Sequence, residues 1–264
     1  MPSNAQNHGD VTVERTEHGV AVVEIHRPPN NFFDGRLIRT LSDIYESLDD
    51  DGSCRAIVLC SEGRHFCAGA NFGAPAAAAA EKNDDPQPDL YTEAARMIEA
   101  KTPVVAAVQG AAIGGGLGLA ASADFRVGCS QTRMAANFSQ LGFHHGFGLT
   151  ITLPPLVGQQ KAMELLLTGR RIDGEEAHAI GLLDRFVADE EVRKAAIALA
   201  TEIASSAPLA VRSIRETMRG NIGERYRAAT QREGIEQKRL QATEDFREGI
   251  RASAERRTPS FKGS

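Results

Sequence analysis

A mixed α/β core followed by a helical tail is predicted by three observations along this 264-residue chain. The first two-thirds alternates β-branched runs with amphipathic stretches. Small-residue turns join several of those runs to the helices after them. Beyond Leu149 the pattern turns almost wholly to a 3.6-residue period.

Element by element, Val11–Arg15 and Val20–His26 alternate around His18–Gly19 and predict a hairpin. A helix follows near Arg36–Leu48, then a buried strand over Arg55–Cys60. Arg64–Phe72, RHFCAGANF, places small residues on an exposed turn after that strand. Ala74–Pro88, with its alanine run and EKNDDPQP, is a low-complexity insertion that reads either as a flap over a pocket or as an inert surface loop. Leu90–Ala100 predicts a helix. Val104–Val108 reads as a buried strand after Pro103, and Gly114–Gly116 then lets the chain turn into a helix of small residues without Cβ clashes. Phe125–Gly128 adds a strand, Gln159–Thr168 an amphipathic helix, and Asp173 an N-cap for Gly174–Ile180. A last short strand is predicted over Leu183–Val187, and helices run from Glu190 through Pro208 to about Arg257. The expected organisation is a disordered segment over residues 1–9, a core over 10–200 and a helical region over 201–264.

Composition fits a globular enzyme. The chain is 42% hydrophobic and 25% charged, with a formal net charge of −5. The absence of a long basic face argues against a nucleic-acid partner. No 18-residue apolar span is present and MPSNAQNHGD has no h-region, so no membrane association and a cytoplasmic address are expected. Cys54, Cys60, Cys67 and Cys129 show neither CxxC nor metal-ligand spacing, which predicts reduced, buried thiols and no metal site. Cys67, inside a small-residue turn, is either packed or reactive.

The glycine triplet carries the most chemical information. The first N–H groups of the helix it opens have no internal partner, and the helix dipole adds partial positive charge there. Developing negative charge on an oxygen would be stabilised at that point. A tight strand-to-helix crossing is the plain alternative. A dinucleotide fold fits poorly, because its glycine fingerprint follows the first strand and precedes an acidic residue by about 20 positions.

Phe66–Asn71, FCAGAN, together with Val108–Asp124, VQGAAIGGGLGLAASAD, resembles the crotonase superfamily, the enoyl-CoA hydratase/isomerase family. The family signatures are FCAGAD and VxGxAxGGGxxLAxxxD. His26–Phe33, Leu156–Arg170, Ile172–Leu183 and Arg256–Lys262 extend the resemblance over nearly the whole chain. It implies a β/β/α spiral whose C-terminal helices build a trimer or a dimer of trimers, and an acyl-CoA substrate with no resident cofactor, coenzyme A entering as part of that substrate. It also implies an oxyanion hole made by the peptide N–H groups of Ala70 and Gly115. Around it, Phe32, Phe66, Ala68, Gly69, Asn71, Phe72, Gly114, Phe138 and Leu141 are expected to contact substrate, with Arg27 and Lys262 supplying positive charge for the coenzyme phosphates.

Departures from the family pattern are equally informative. Its hydratases carry two glutamates, and the matching positions here are Gly118 and Phe138, so a two-carboxylate hydration is not expected. Met134–Thr150 offers Asn137, Gln140, His144 and His145 as polar replacements. An imidazole titrates near neutrality, so His144 or His145 could act as general base. The alternative is that one histidine serves the local backbone while the other faces solvent or a neighbouring subunit. Asp34, Glu62, Glu93 and Glu99 are weaker candidates. Three functions remain open: an acyl-CoA-transforming lyase or isomerase, a same-fold carbon–carbon bond hydrolase using His144 or His145, and a catalytically silent CoA-binding protein. Arg212, Arg215, Arg219, Arg225, Arg227 and Arg232 either pair across subunits or form a solvated face.

Overall fold

The computed structural model describes residues 5–71 and 87–264. In chain order the regular elements are β1 (Gln6–Asn7), β2 (Val11–Arg15), β3 (Val20–Ile25), α1 (Gly35–Asp50), β4 (Ala56–Ser61), α2 (Leu90–Glu99), β5 (Val104–Val108), β6 (Ala111–Ile113), α3 (Gly115–Ser122), β7 (Phe125–Cys129), β8 (Arg133–Ala135), α4 (Leu149–Val157), α5 (Gln159–Thr168), β9 (Arg171–Asp173), α6 (Gly174–Ala179), β10 (Arg185–Val187), α7 (Val192–Ala204), α8 (Pro208–Arg219), α9 (Ile222–Gln241) and α10 (Glu244–Glu255).

Seven strands form one sheet in the order β1-β2-β3-β4-β5-β7-β10. The first three pair antiparallel and the rest parallel. Val104–Val108 is buried at every residue, as a parallel strand covered on both faces must be. One face packs on α1 and α2, and on the other the Val192, Ala196 and Leu199 side chains of α7 meet Val58, Val105 and Val127. The boundary expected after residue 200 therefore falls inside a helix that covers the sheet. Gln6 and Asn7, within the stretch expected to be disordered, pair with Val13 and Thr12 and so gain ladder hydrogen bonds.

A second sheet, β6-β8-β9, is absent from the sequence reading. Its strands have three residues each, too few to show a period of two. It matters because β6 feeds directly into α3 and aligns the glycine triplet.

Caps set the helix ends. Asp34 accepts from Leu37 N–H at 2.8 Å and Asp173 from Glu176 N–H at 2.9 Å, which makes Asp34 a capping residue. Three arginines of α8, expected either to pair across subunits or to form a solvated face, are engaged within the chain. Arg212 donates to Asp49 C=O, Arg215 to Ala100 C=O and Arg219 to Ser122 C=O. They satisfy the unpaired carbonyls that end α1, α2 and α3, where a cation is also favoured by the dipole. Arg227 and Arg232 pair within the chain with Glu99 and Glu236. Among the described residues no single helix is long and apolar enough to cross a membrane.

Candidate active site

Two turns converge because their strands are bridged. Cys67 N–H donates to Ala111 C=O at 2.9 Å, and Ile113 N–H donates back to Cys67 C=O at 3.0 Å. Phe33 N–H donates to Gly69 C=O at 3.0 Å and ties the turn to the chain before α1. Gly69 (φ 84°) and Gly114 (φ 58°) occupy the left-handed region that glycine enters at no steric cost. The packing leaves no room for side chains. A Cβ built on Gly116 would stand 2.0 Å from Cys67 O, and one on Gly115 would stand 2.4 Å from Phe33 Cζ. Among the described residues, neither Ala70 N–H nor Gly115 N–H has an acceptor.

Both residues border a cavity of about 500 Å³. The structure brings Phe32, Ala68, Gly69, Ala70, Asn71, Gly114, Gly115, Phe138 and Leu141 together in its lining. Phe66 is fully buried behind the turn, where its carbonyl accepts from Ser61 Oγ at 2.7 Å, so it supports the wall without reaching the cavity. Arg27 is held by Asp10 (2.7 Å) and Asp34 (3.1 Å) and donates to Phe32 C=O at 3.3 Å. Lys262 lies on the C-terminal segment, its N–H donating to the Asp245 carboxylate at 2.7 Å. Neither cation lines the cavity. Phe72 and residues 74–86 of the expected flap lie outside the described residues. Cys67 is packed: burial pushes its thiol up to about 12, and its sulfur accepts from Gly69 N–H.

His144 and His145 are not brought to the cavity. Phe143 and Phe147 line it, and the two imidazoles between them border a separate hollow with Thr150, Met163 and Leu166. The rings stack at 4.1 Å, and His144 Nδ1 donates to His145 C=O at 2.7 Å. His145 Nε2 lies 2.9 Å from Thr150 Oγ1, whose hydroxyl donates to Glu233 Oε1 at 2.5 Å, so the imidazole nitrogen is the donor of the pair. Burial, with His144 beside it, pulls His145 down to about 4. Glu62 binds His26, Glu93 is buried between Arg39 and Arg96, and Glu99 pairs with Arg227. Among the described lining residues there is no Asp, Glu or His.

The positions that the resemblance matches to the hydratase glutamates are held by packing contacts. A Cβ on Gly118 would fall 2.6 Å from Phe147 Cβ. Phe138 is buried and meets Phe143 edge-on at 5.4 Å.

Sequence reasoning missed Tyr91 and Gln237, which line the cavity, and Glu233, which does not. Tyr91 donates to Gln237 Oε1 at 2.7 Å, and Gln237 Nε2 donates to His144 C=O at 3.1 Å. Buried Glu233, one turn earlier on α9, accepts from Gly148 N–H at 2.8 Å and Thr150 N–H at 3.1 Å. Burial raises its pKa. The i, i+4 spacing of Glu233 and Gln237 was legible, but a polar pair on a helix ordinarily marks a solvated face.

The family model described as enoyl-CoA hydratase/isomerase matches residues 15–264. A probable enoyl-CoA hydratase of Bacillus subtilis is 34% identical over 246 residues, 92% of this chain and 95% of that protein. A carnitinyl-CoA dehydratase of Citrobacter koseri is 32% identical over 254 residues, 94% of this chain and 97% of that one. An enoyl-CoA hydratase/isomerase structure from Pseudoalteromonas atlantica superposes with a TM-score of 0.84 at 29% identity, covering 96% of this chain and 100% of its own. With the bridged glycine turns and the matched length, these likenesses place the chain in the enoyl-CoA hydratase/isomerase family of enzymes, within the crotonase superfamily.

Proposed function

We propose that this enzyme transforms an acyl-CoA thioester by holding the carbonyl oxygen between the N–H groups of Ala70 and Gly115, so that an enolate or tetrahedral oxyanion is stabilised. The observation that carries the reading is that Ala70 and Gly115, which line one largely apolar cavity, each have an N–H without an acceptor among the described residues. Gly115 is the first residue of α3, so the helix dipole supports the same charge. One such donor is worth about 3–4 kcal/mol in a transition state. Gly118 and Phe138 stand where the resemblance places the two hydratase glutamates, which supports a chemistry other than ordinary two-glutamate hydration. Coenzyme A comes and goes with the substrate. Exposed Leu209, Ile214 and Met218 on α8 support self-association, for which the family resemblance implies a homotrimer or a dimer of trimers, and light scattering after gel filtration would read it directly.

The test is incubation with saturated, 2-enoyl, 3-enoyl, 3-oxo and malonyl-type CoA thioesters, following mass and isomer changes, with His144→Ala and His145→Ala in parallel. The expected result is turnover of at least one class that survives both substitutions. Tight CoA binding with every substrate returned unchanged would replace this reading with the silent binder. Turnover abolished in either histidine variant, with the fold intact, would restore the histidine-dependent mechanism.

A further inference from the structure

Among the described non-glycine residues that line the cavity, Phe147 alone has a left-handed backbone, at φ 58°. A bulky side chain disfavours that region, and it persists where the surroundings over-determine it. Here they do. The flanking glycines admit close neighbours: a Cβ on Gly146 would stand 2.1 Å from Tyr91 Oη, and one on Gly148 2.0 Å from the Tyr226 ring. Glu233 grips the N–H groups of Gly148 and Thr150, and the N–H of Phe147 bears on the Tyr91 oxygen.

This grip presses the Phe147 side chain over the first turn of α3, against Gly118. Its ring lies 5.1 Å from that of Phe33, which in turn covers Gly115. The ring is 1% exposed and still borders the cavity, so it forms an inner wall beside the candidate oxyanion site.

We infer that Phe147 is a specificity-determining residue whose ring ends the acyl cavity and sets the longest acyl chain it admits. This rests on the reading that a thioester occupies the cavity.

The experiment is calorimetric titration of wild type, Phe147→Gly and Phe147→Leu with acetyl-, butyryl-, hexanoyl-, octanoyl- and decanoyl-CoA as probes. Glycine suits the left-handed backbone, and leucine preserves an apolar wall if the glycine variant does not fold. Wild-type affinity is expected to rise with chain length and then stop rising within the series. Phe147→Gly should move that break to longer chains, with about a fourfold gain for each further methylene buried, and Phe147→Leu should move it less. A steady wild-type gain through decanoyl-CoA, or the same break in both variants, overturns the assignment. Wild type that binds none of the thioesters removes the acyl-CoA reading and the assignment together, which separates the two failures.

Discussion

Gly116→Ala tests the juxtaposition on which the candidate site depends. The added Cβ would stand 2.0 Å from Cys67 O and 2.7 Å from Cys67 C. Ordinary van der Waals contact begins at 3.4 Å, so the two segments must separate by 3.4 − 2.0 = 1.4 Å. Cys67 C=O is also the acceptor for Ile113 N–H, so retreat of the turn strains the bridge that aligns both strands. Overpacking of this kind costs about 1–3 kcal/mol of stability. The effect on chemistry is larger. Oxyanion donors act at about 2.7–3.1 Å, and a donor displaced by 1.4 Å no longer makes a hydrogen bond. Loss of one donor is worth about 10²–10³ in kcat. The assay combines turnover with the infrared stretch of a ¹³C-labelled thioester carbonyl, which moves to lower frequency when the oxygen is held by two donors. Gly52→Ala is the control, because its Cβ meets nothing within 4 Å. A folded Gly116→Ala protein with wild-type turnover and an unchanged carbonyl shift refutes the reasoning.

Glu233→Ala leaves the N–H groups of Gly148 and Thr150 without their acceptor, at about 1–3 kcal/mol each, and should lower the urea midpoint clearly more than Glu233→Gln, which keeps one amide oxygen. Equal midpoints for the two variants would mean that the carboxylate does not hold this loop. His145 supplies a pH dependence of known sign. Its folded pKa of about 4 lies below the ordinary 6.5, so the unfolded chain binds more protons between these values. Its contribution is complete above pH 6.5 and is lost as pH falls to 4, by about 3 kcal/mol. Glu233 acts oppositely, its raised pKa favouring the folded state at low pH and withdrawing that support as pH rises. Thermal denaturation of His145→Asn between pH 4 and 6.5 should show a shallower acid-side decline than wild type, and an identical decline would exclude His145 as its source.

The sequence by itself determined the elements whose signal is local. Val104–Val108 coincides with β5, and α2 begins at Leu90 as its pattern predicts. The glycine turns, the missing glutamates at 118 and 138, and the cap at Asp173 were equally legible, because steric freedom and capping are decided within a few residues, whereas the cap at Asp34 emerged only from the structure. Family membership followed from the order of such motifs. Only the tertiary structure decided which way side chains point from an irregular segment. In Gly142–Thr150 no period exists to sort residues between two sides, so a catalytic and a local structural role for the adjacent histidines both stayed open. Folding instead turned Phe143 and Phe147 into the cavity and His144 and His145 out of it. Partners from distant segments decided the rest. Glu233 and Tyr91 reach the Phe147 loop, and α8 arginines find helix ends more than 90 positions away. Such contacts depend on how layers stack, and a one-dimensional pattern carries no record of which layer lies opposite.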